Sequence, residues 1–446
     1  MLKAALTRRA ALAGAAVTLS APAVLGKAKS RYAGTTIRGA AFSLPFHSYL
    51  RHYFPEFEDR TGIKVEFDVQ AFPVYNQRMD LELSTGGSSY DVIIVTFIYQ
   101  GRWIGAGWIT DLDEFTSDPN ATPADWEPGD FVSGAQSSLR DAKGHTYGYG
   151  VEAGAMLLYA GRGDLIEKAG LAMPATMDDL IKVCDAVHGK GGGVAAWTAD
   201  KLHHWNWPPY LMNLGGRIFK DPPTNLTPTL DTPVAAQSAQ WYADLIMKYG
   251  PSGILSYTDD QSLQSQLSGR ANMRTNALTW GLPLAKDPAS TVRKTVRYGM
   301  VPAGPAGEFP GSNCHGFGIP AGSRNKGAAW EFMKWALSKE MLTRLVKDHG
   351  YPSVCRRSVI ESEAFKQALT LNGQDVASLY LKVLDLGGQS GYMKYRTVPV
   401  FPQVGDKINR AIEAIATKQM DAPAAMKQAQ AQAVEAIRMG GYKIDL

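Results

Sequence analysis

The stretch HHWNWPPY at residues 203–210 is the densest group of side chains in this sequence that could bind a small molecule. Its two histidines, two tryptophans and tyrosine fit four roles: a metal site, a membrane contact, part of a core, or one wall of a binding cleft. A metal site needs a third ligand, and no residue at a useful spacing offers one. We therefore predict no metal and no other cofactor, and the remaining roles depend on the rest of the chain.

Motifs of the common enzyme classes are missing. The sequence has no GxSxG, no GxxxxGK[ST] and no HExxH. Its glycine patterns GYGVEAG (148–154) and GFGIPAG (316–322) are each one residue too long for a dinucleotide fingerprint. The acidic pairs at 178–179 and 259–260 stand at apparent helix starts, where capping explains them. We predict that the protein is not an enzyme.

Length and composition indicate a globular protein of two domains. A chain of 446 residues exceeds what one hydrophobic core usually supports, and 45% hydrophobic with 20% charged residues is ordinary for such proteins. Residues 1–26 combine basic residues, an Ala-rich apolar run and small residues near the end, which is typical of a secretory signal. Thr7-Arg8-Arg9 favours the twin-arginine route.

Removal of that signal takes away three basic residues and no acid, so the formal charge falls from +4 to +1. A near-neutral mature chain gives no electrostatic reason to expect nucleic-acid binding. The three cysteines are Cys184, Cys314 and Cys355. Cys184 lies in an apparent helix and is expected in the core, whereas pairing of the other two stays open because no sequence feature fixes their distance.

Strand and helix patterns alternate along the mature chain. TTIRGAAF (35–42), IKVEFDV (63–69) and DVIIV (91–95) are typical of strands, with helical patterns between them. The same order begins again after residue 150. Pro55 is expected to divide the helical pattern that ends at Gly62, and the C-terminal region is expected to form two helices around a break at 421–423. The prediction is an α/β protein with helices on both faces of its sheets.

Five segments, in order, resemble the extracellular (periplasmic) solute-binding proteins of ABC importers, in the carbohydrate-binding group that includes maltose-binding protein. They are FEDRTGIKVEFDV, SYDVIIVTFIYQGRWIGAGWITDLDEF, YGYGVEAGAMLLYAGRGDLIEKAGLAMPATMDDL, LSGRANMRTNALTW and FGIPAGSRNKGAAWEFMKWALSKE. Each motif is weak alone, but five in the family's order cover nearly the whole mature chain.

The resemblance implies two lobes, each a mixed, mainly parallel sheet flanked by helices, joined by several hinge crossings. The crossings are expected near Glu152, near residues 301–305 and near Tyr351. The N-terminal lobe would then comprise 31–151 and 302–351, and the C-terminal lobe 152–301 and 352–446. Closure of the lobes would trap a solute and present a surface to the membrane permease.

The resemblance also places a ligand site in the cleft between the lobes. In the family, the residues just before the corresponding Trp-Pro pair touch sugar. Residues that directly follow the predicted strands are further candidates for ligand contact. The expected ligand-binding residues are Phe42, Ser43, Thr96, Phe97, Tyr99, Glu152, His203, His204, Trp205, Asn276, Trp280, His315, Tyr351 and Arg396. A sugar ring has an apolar face and a rim of hydroxyls, so it suits aromatic plates flanked by groups that donate and accept hydrogen bonds.

Departures from the family pattern narrow the expected ligand. The first-strand loop reads SLPFHS where the maltose binder has charged residues, and Ile98 and Tyr99 replace an Asp and an Arg. We therefore expect a neutral sugar, a short oligosaccharide or a polyol. The alternatives are the same fold with another solute, such as a glycerol phosphodiester, and an exported carbohydrate-active enzyme. The expected partners are the solute and the ABC permease subunits, with the protein a periplasmic monomer.

Overall fold

The computed structural model describes residues 29–444, so the predicted signal segment lies outside the described residues. Within that range the strands are β1 (Thr36–Phe42), β2 (Lys64–Gln70), β3 (Val92–Val95), β4 (Tyr149–Ala160), β5 (Ala195–Trp197), β6 (Phe219–Asp221), β7 (Asn225–Pro228), β8 (Ala271–Ala277), β9 (Arg297–Gly299), β10 (Ser312–Gly318), β11 (Thr370–Leu371) and β12 (Gln374–Asp375).

The helices of residues 29–444 surround these strands. They are α1 (Pro45–Leu50), α2 (Phe54–Thr61), α3 (Phe72–Ser84), α4 (Gln100–Gly105), α5 (Asp113–Thr116), α6 (Ser133–Gln136), α7 (Gly163–Lys168), α8 (Met177–Val187), α9 (Lys190–Gly193), α10 (His203–Asn206), α11 (Pro208–Asn213), α12 (Pro233–Tyr249), α13 (Asp259–Leu267), α14 (Leu278–Lys286), α15 (Lys326–Ala336), α16 (Lys339–His349), α17 (Arg357–Ile360), α18 (Glu363–Ala368), α19 (Val376–Ser390), α20 (Phe401–Ala416) and α21 (Ala422–Met439). None of them is both long and apolar enough to cross a bilayer.

One strand, β4, belongs to both halves of the molecule. The sheet order is β2-β1-β3-β10-β4-β8-β5, with β9 also paired to β4. The first part of β4, up to Ala155, pairs with β10, and the part from Met156 pairs with β8 and β9. In the first half β10 is the strand that lies antiparallel to its neighbours, and in the second half β4 is antiparallel to β8 and β9. The two-lobed α/β fold with mixed, mainly parallel sheets is therefore confirmed.

Several local predictions hold for clear physical reasons. Pro55 lacks the N–H that a continuous helix would need, and the chain there divides into α1, a short 3-10 helix and α2. Gly62 ends α2 with a left-handed φ of 75°, which glycine adopts without strain. Asp421 caps α21 by accepting a hydrogen bond from the Ala424 N–H.

Two clusters of buried hydrophobic side chains form the cores. The first covers β1 to β3, part of β4 and helices α15 and α16, and it extends into the second half through Leu278 and Tyr298. The second contains Cys184, Trp207 and helices α12, α20 and α21. Residues 354–384, which we expect in the C-terminal lobe, pack in this first cluster beside side chains of both halves, so their lobe stays a prediction. Helix α19 lies against α6 and β4, and the chain joins the second cluster only from Tyr392 onward.

Candidate functional site

The carboxyl ends of β1 and β3 bring an aromatic group to the boundary between the halves. Phe42 ends β1, Phe97 follows β3, and His315 comes from the neighbouring strand β10. The ring of His315 lies 4.8 Å from that of Phe42 and 5.1 Å from that of Phe97. Phe72, at the start of α3, lies 4.8 Å from Phe42 and 6.4 Å from Phe97. These four rings make the N-terminal side of the candidate site.

Trp205 and Arg396 face this group from the other half. The Trp205 ring lies 5.6 Å from Phe97. The fully buried Arg396 guanidinium lies 5.0 Å from the Phe97 ring and 5.3 Å from the Trp205 ring. Arg396 Nη2 donates to the His204 carbonyl at 3.0 Å, while its Nη1 has no hydrogen-bond partner in the structure. The two halves therefore meet through aromatic and cation–π contacts that keep one donor of Arg396 free.

A polar network continues from Trp205 into the second half. Trp205 Nε1 donates to Asn276 Oδ1 at 2.9 Å, and Asn276 Nδ2 donates to Asp259 Oδ1 at 3.0 Å. The buried Arg274 donates to both Asp259 and Asp200. Burial would raise the pKa of Asp200, but Arg274 brings it below its usual range. Burial and the neighbouring Asp200 raise the pKa of Asp259, whose side chain stays 26% exposed.

Glu152 and His315 are direct neighbours across β4 and β10, so their side chains lie on one face of the sheet. Burial alone raises the pKa of Glu152 to about 7. Burial also lowers the pKa of His315 to about 3, and the Nδ1 atom of that ring has no hydrogen-bond partner in the structure. Near neutral pH the site thus presents an uncharged imidazole beside a carboxyl that is partly protonated.

His204 contributes chiefly through its backbone carbonyl and an edge-on contact of its ring. Burial and the nearby Arg396 lower the pKa of His204 to about 3, so its ring is neutral. That ring lies 5.9 Å from Phe401, and Nδ1 stands 3.3 Å from Arg396 Nη2. His204 therefore helps to hold Arg396 in place.

The structure places other expected residues away from this group. The His203 ring is buried in the second half, 5.8 Å from Tyr242. Thr96 is buried and donates to Asn76, and the Tyr99 ring lies 5.5 Å from Trp103. Two more have separate surroundings: Ser43, exposed with its N–H bonded to the Gln70 carbonyl, and Tyr351, buried and donating to the Val151 carbonyl. Trp280 borders the polar network instead, since its ring lies 5.9 Å from the Arg274 guanidinium.

Sequence reasoning missed Phe72, Asp200, Asp259 and Arg274. Asp259 was assigned to capping, and it does lie in the first turn of α13, but Thr258 makes the cap. A signal was available in ANMRTNA, because an arginine in the middle of a buried strand requires a carboxylate partner. That signal could not have named the partner, since Asp200 and Asp259 are distant in sequence and meet only in the fold.

Comparison with known proteins decides the family. The family model of the bacterial extracellular solute-binding proteins matches residues 43–342. The chain belongs to this family. Among its solute-binding relatives, the erythritol/L-threitol-binding protein of Mycolicibacterium smegmatis is 25% identical over 71% of this chain and 70% of its own length. The mannitol-binding protein of Pseudomonas aeruginosa is 23% identical over 86% of this chain and 89% of its own length.

A solved solute-binding protein has the same fold. The ABC-transporter solute-binding protein of Agrobacterium radiobacter, in complex with ribitol, matches with a TM-score of 0.77. The two are 22% identical, and the match covers 91% of this chain and 99% of the other. At that identity the comparison establishes the two-lobed fold of this family member.

Proposed function

We propose that this solute-binding protein captures an acyclic polyol between its lobes and delivers it to an ABC permease. The observation that carries the proposal is the covered ring of Trp205. Trp205 is 6% exposed, and both Arg396 and Phe97 contact it. A pyranose needs an open aromatic face to stack on, so this ring does not serve as the plate that the family resemblance implied.

Hydrogen-bonding groups around the same point suit a chain of hydroxyls. Arg396 Nη1 and His315 Nδ1 are buried without partners, and the Glu152 carboxyl has no hydrogen-bond partner among the described residues. Asp259 adds a partly exposed carboxylate. Buried polar groups without partners are costly, and hydroxyls can satisfy them because each one both donates and accepts.

The ligands for which the relatives are named agree with this chemistry. The two curated relatives are named for erythritol, L-threitol and mannitol, and the solved relative holds ribitol. All are unbranched, uncharged polyhydroxyl chains. A charged solute such as a phosphodiester would instead meet Glu152 and Asp259, with one unpaired guanidinium nitrogen to compensate.

Location and partners follow from the family in the same proposal. A twin-arginine signal at residues 1–26 would carry the folded chain to the periplasm, where the monomer would bind its solute without altering it. Membership of the solute-binding family supports a receptor over a carbohydrate-active enzyme.

A thermal-shift panel tests the ligand class. Erythritol, ribitol and D-mannitol are compared with maltose, maltotriose and glycerophosphocholine on the same purified chain. A polyol at about 100 times its Kd adds about 2.7 kcal/mol to the free energy of unfolding, so at least one polyol is expected to raise the Tm. A rise with the oligosaccharides or the phosphodiester alone would overturn the proposal.

A further inference from the structure

A cationic cavity lies in the second half of the molecule, away from the cleft. Its volume is about 370 Å³, and it is lined by Arg162, Arg270, the glycine turn 191–193 and residues 268–269 and 291–292. No carboxylate of residues 29–444 lines it. Two guanidinium groups therefore share one cavity that has no acidic side chain in its wall.

The cavity and the cleft lie at opposite ends of the sheet. Arg270 directly precedes β8 and residue 194 directly precedes β5, so the cavity lies at the amino ends of these parallel strands. Asn276, which binds Trp205 at the cleft, lies near the other end of β8. A strand rises about 3.3 Å per residue, so Arg270 and Asn276 are about 20 Å apart.

Both arginines keep donors without a protein partner. Arg162 donates to Asp164 through Nε at 2.8 Å and Nη2 at 2.9 Å, which leaves its Nη1. Arg270 donates through Nε to Ser268 Oγ at 3.1 Å. The Nη1 and Nη2 atoms of Arg270 have no partner among residues 29–444, and no carboxylate there forms an ion pair with it. These remaining nitrogens can donate to a ligand in the cavity.

Glycine turns keep the Arg162 side chain uncovered. Gly191 and Gly269 have left-handed φ angles of 56° and 71°, which glycine adopts without strain. A Cβ on Gly191 would lie 3.3 Å from Arg162 Nη1, and a Cβ on Gly269 would lie 3.7 Å from Arg162 Cδ. Arg162 therefore runs between two turns that lack side chains, and its Nη1 stays reachable from the cavity.

We propose that this cavity binds a small oxyanion such as inorganic phosphate between Arg162 and Arg270. A guanidinium group presents its donors as a planar fork that matches phosphate oxygens, and hydrogen bonds between charged groups are the stronger kind. Asp164 offsets the charge of Arg162, so the exposed Arg270 supplies the charge that no acid balances. The inference does not depend on the ligand that the cleft takes.

The ion would connect three separate segments of the second half. Arg162 follows the end of β4, the glycine turn 191–193 precedes β5, and Arg270 precedes β8. An anion held by these segments binds the folded chain and not the unfolded chain, so it adds to the free energy of unfolding. It would do so without entering the cleft.

Calorimetric titration with sodium phosphate tests the site. The purified chain is titrated in a chloride buffer of constant ionic strength, at a slightly alkaline pH where phosphate is a dianion. One phosphate is expected to bind per chain. Arg270→Gln removes the unpaired guanidinium and should weaken binding by at least about 10-fold, because hydrogen bonds to charged groups contribute strongly.

Arg293→Gln is the matched control. Arg293 is exposed and follows residues 291–292 directly, but it does not line the cavity. Its loss should change phosphate affinity by less than about twofold, since an exposed charge outside the cavity is screened by salt. Phosphate is also expected to raise the Tm of the wild type and of Arg293→Gln more than that of Arg270→Gln.

Three results would overturn the proposal. The first is no saturable binding of phosphate to the wild type. The second is equal affinity in the wild type and Arg270→Gln, which would place the ion elsewhere. The third is an equal loss in both variants, which would mean that phosphate is attracted to the positive surface in general. Because Arg270 is exposed, its variant is expected to fold, and an unchanged Tm without phosphate confirms that.

Discussion

The two sides of the cleft are built from different chemistry. The N-terminal side presents the rings of Phe42, Phe72 and Phe97 with a neutral His315, held by ring contacts of 4.8–6.4 Å. The C-terminal side presents Trp205 tied to a chain of amide, carboxylate and guanidinium groups. The difference indicates that the first side chiefly fixes the shape of the space, with His315 its one polar ring, and that the second side supplies most of the groups that can bind hydroxyls.

The largest expected effect comes from breaking the charge network of the C-terminal side. Arg274→Met leaves two carboxylates without their buried cation, and such a loss costs about 3–5 kcal/mol in the free energy of unfolding. Arg38→Met is the matched control, because Arg38 and Glu66 form a pair that is 67% exposed on both sides and is worth about 1 kcal/mol or less. Urea unfolding of the two variants measures the difference; equal losses would mean that the network does not hold this side.

The next effect is a pH dependence carried by Glu152. Its pKa is raised to about 7 from 4.5, so between those values the folded chain keeps a proton that the unfolded chain releases. Stability is therefore expected to fall as pH rises from about 4.5 to about 7, and to level off above that.

Glu152→Gln should remove up to about 3 kcal/mol of this fall, because one pKa unit corresponds to about 1.4 kcal/mol. Asp259 titrates in the same direction, so some dependence remains in the variant. Urea unfolding at a series of pH values compares Glu152→Gln with Glu66→Gln, whose carboxylate is exposed. The prediction fails if the two variants follow the same pH curve.

A smaller effect is expected on ligand affinity from Asp259→Asn. A hydrogen bond to a charged group contributes about 1.5–3 kcal/mol, so polyol affinity should fall by about 10-fold to 100-fold. Asp260→Asn is the control, since the neighbouring Asp260 is exposed. Calorimetric titration of both variants with a polyol measures the difference in affinity. Unchanged affinity in Asp259→Asn would show that this carboxylate does not contact the ligand.

The smallest effect is expected on the N-terminal side. Phe97→Leu keeps an apolar side chain but loses its ring contacts with Trp205 and Arg396, which are worth about 1 kcal/mol. We expect affinity to fall by about fivefold, with little change from Phe115→Leu, whose ring lies 5.7 Å from Trp330 in the first core. A loss larger than that of Asp259→Asn would reverse the assignment of roles to the two sides.

Local sequence signals were sufficient for much of the fold. The apolar run at β3, the break at Pro55 and the break at 421–423 depend on neighbouring residues, and all three appear as expected. The lobe of residues 354–384 stays a prediction, because α19 packs against β4, the strand that both halves share.

The candidate site was predictable only as a region. Eight expected residues meet where the halves join, and their positions after strands or near the crossings carried that information. The buried ring of His203 and the covered ring of Trp205 depend on side-chain directions within a four-residue helix. The role of Asp259 depends on its contacts with Arg274 and Asn276, which arise only in the folded chain. No local pattern could therefore distinguish Asp259 from an ordinary residue at a helix start.

The most direct test of the account is calorimetric titration with alditols and the aldoses of equal length. Erythritol, ribitol and D-mannitol are each compared with erythrose, ribose and mannose on the unmodified chain. The covered Trp205 ring and the unpaired donors around it predict that an alditol binds at least about 10-fold more tightly than its aldose, a difference of about 1.4 kcal/mol. An aldose that binds as tightly as its alditol, or no binding by any alditol, would contradict the account.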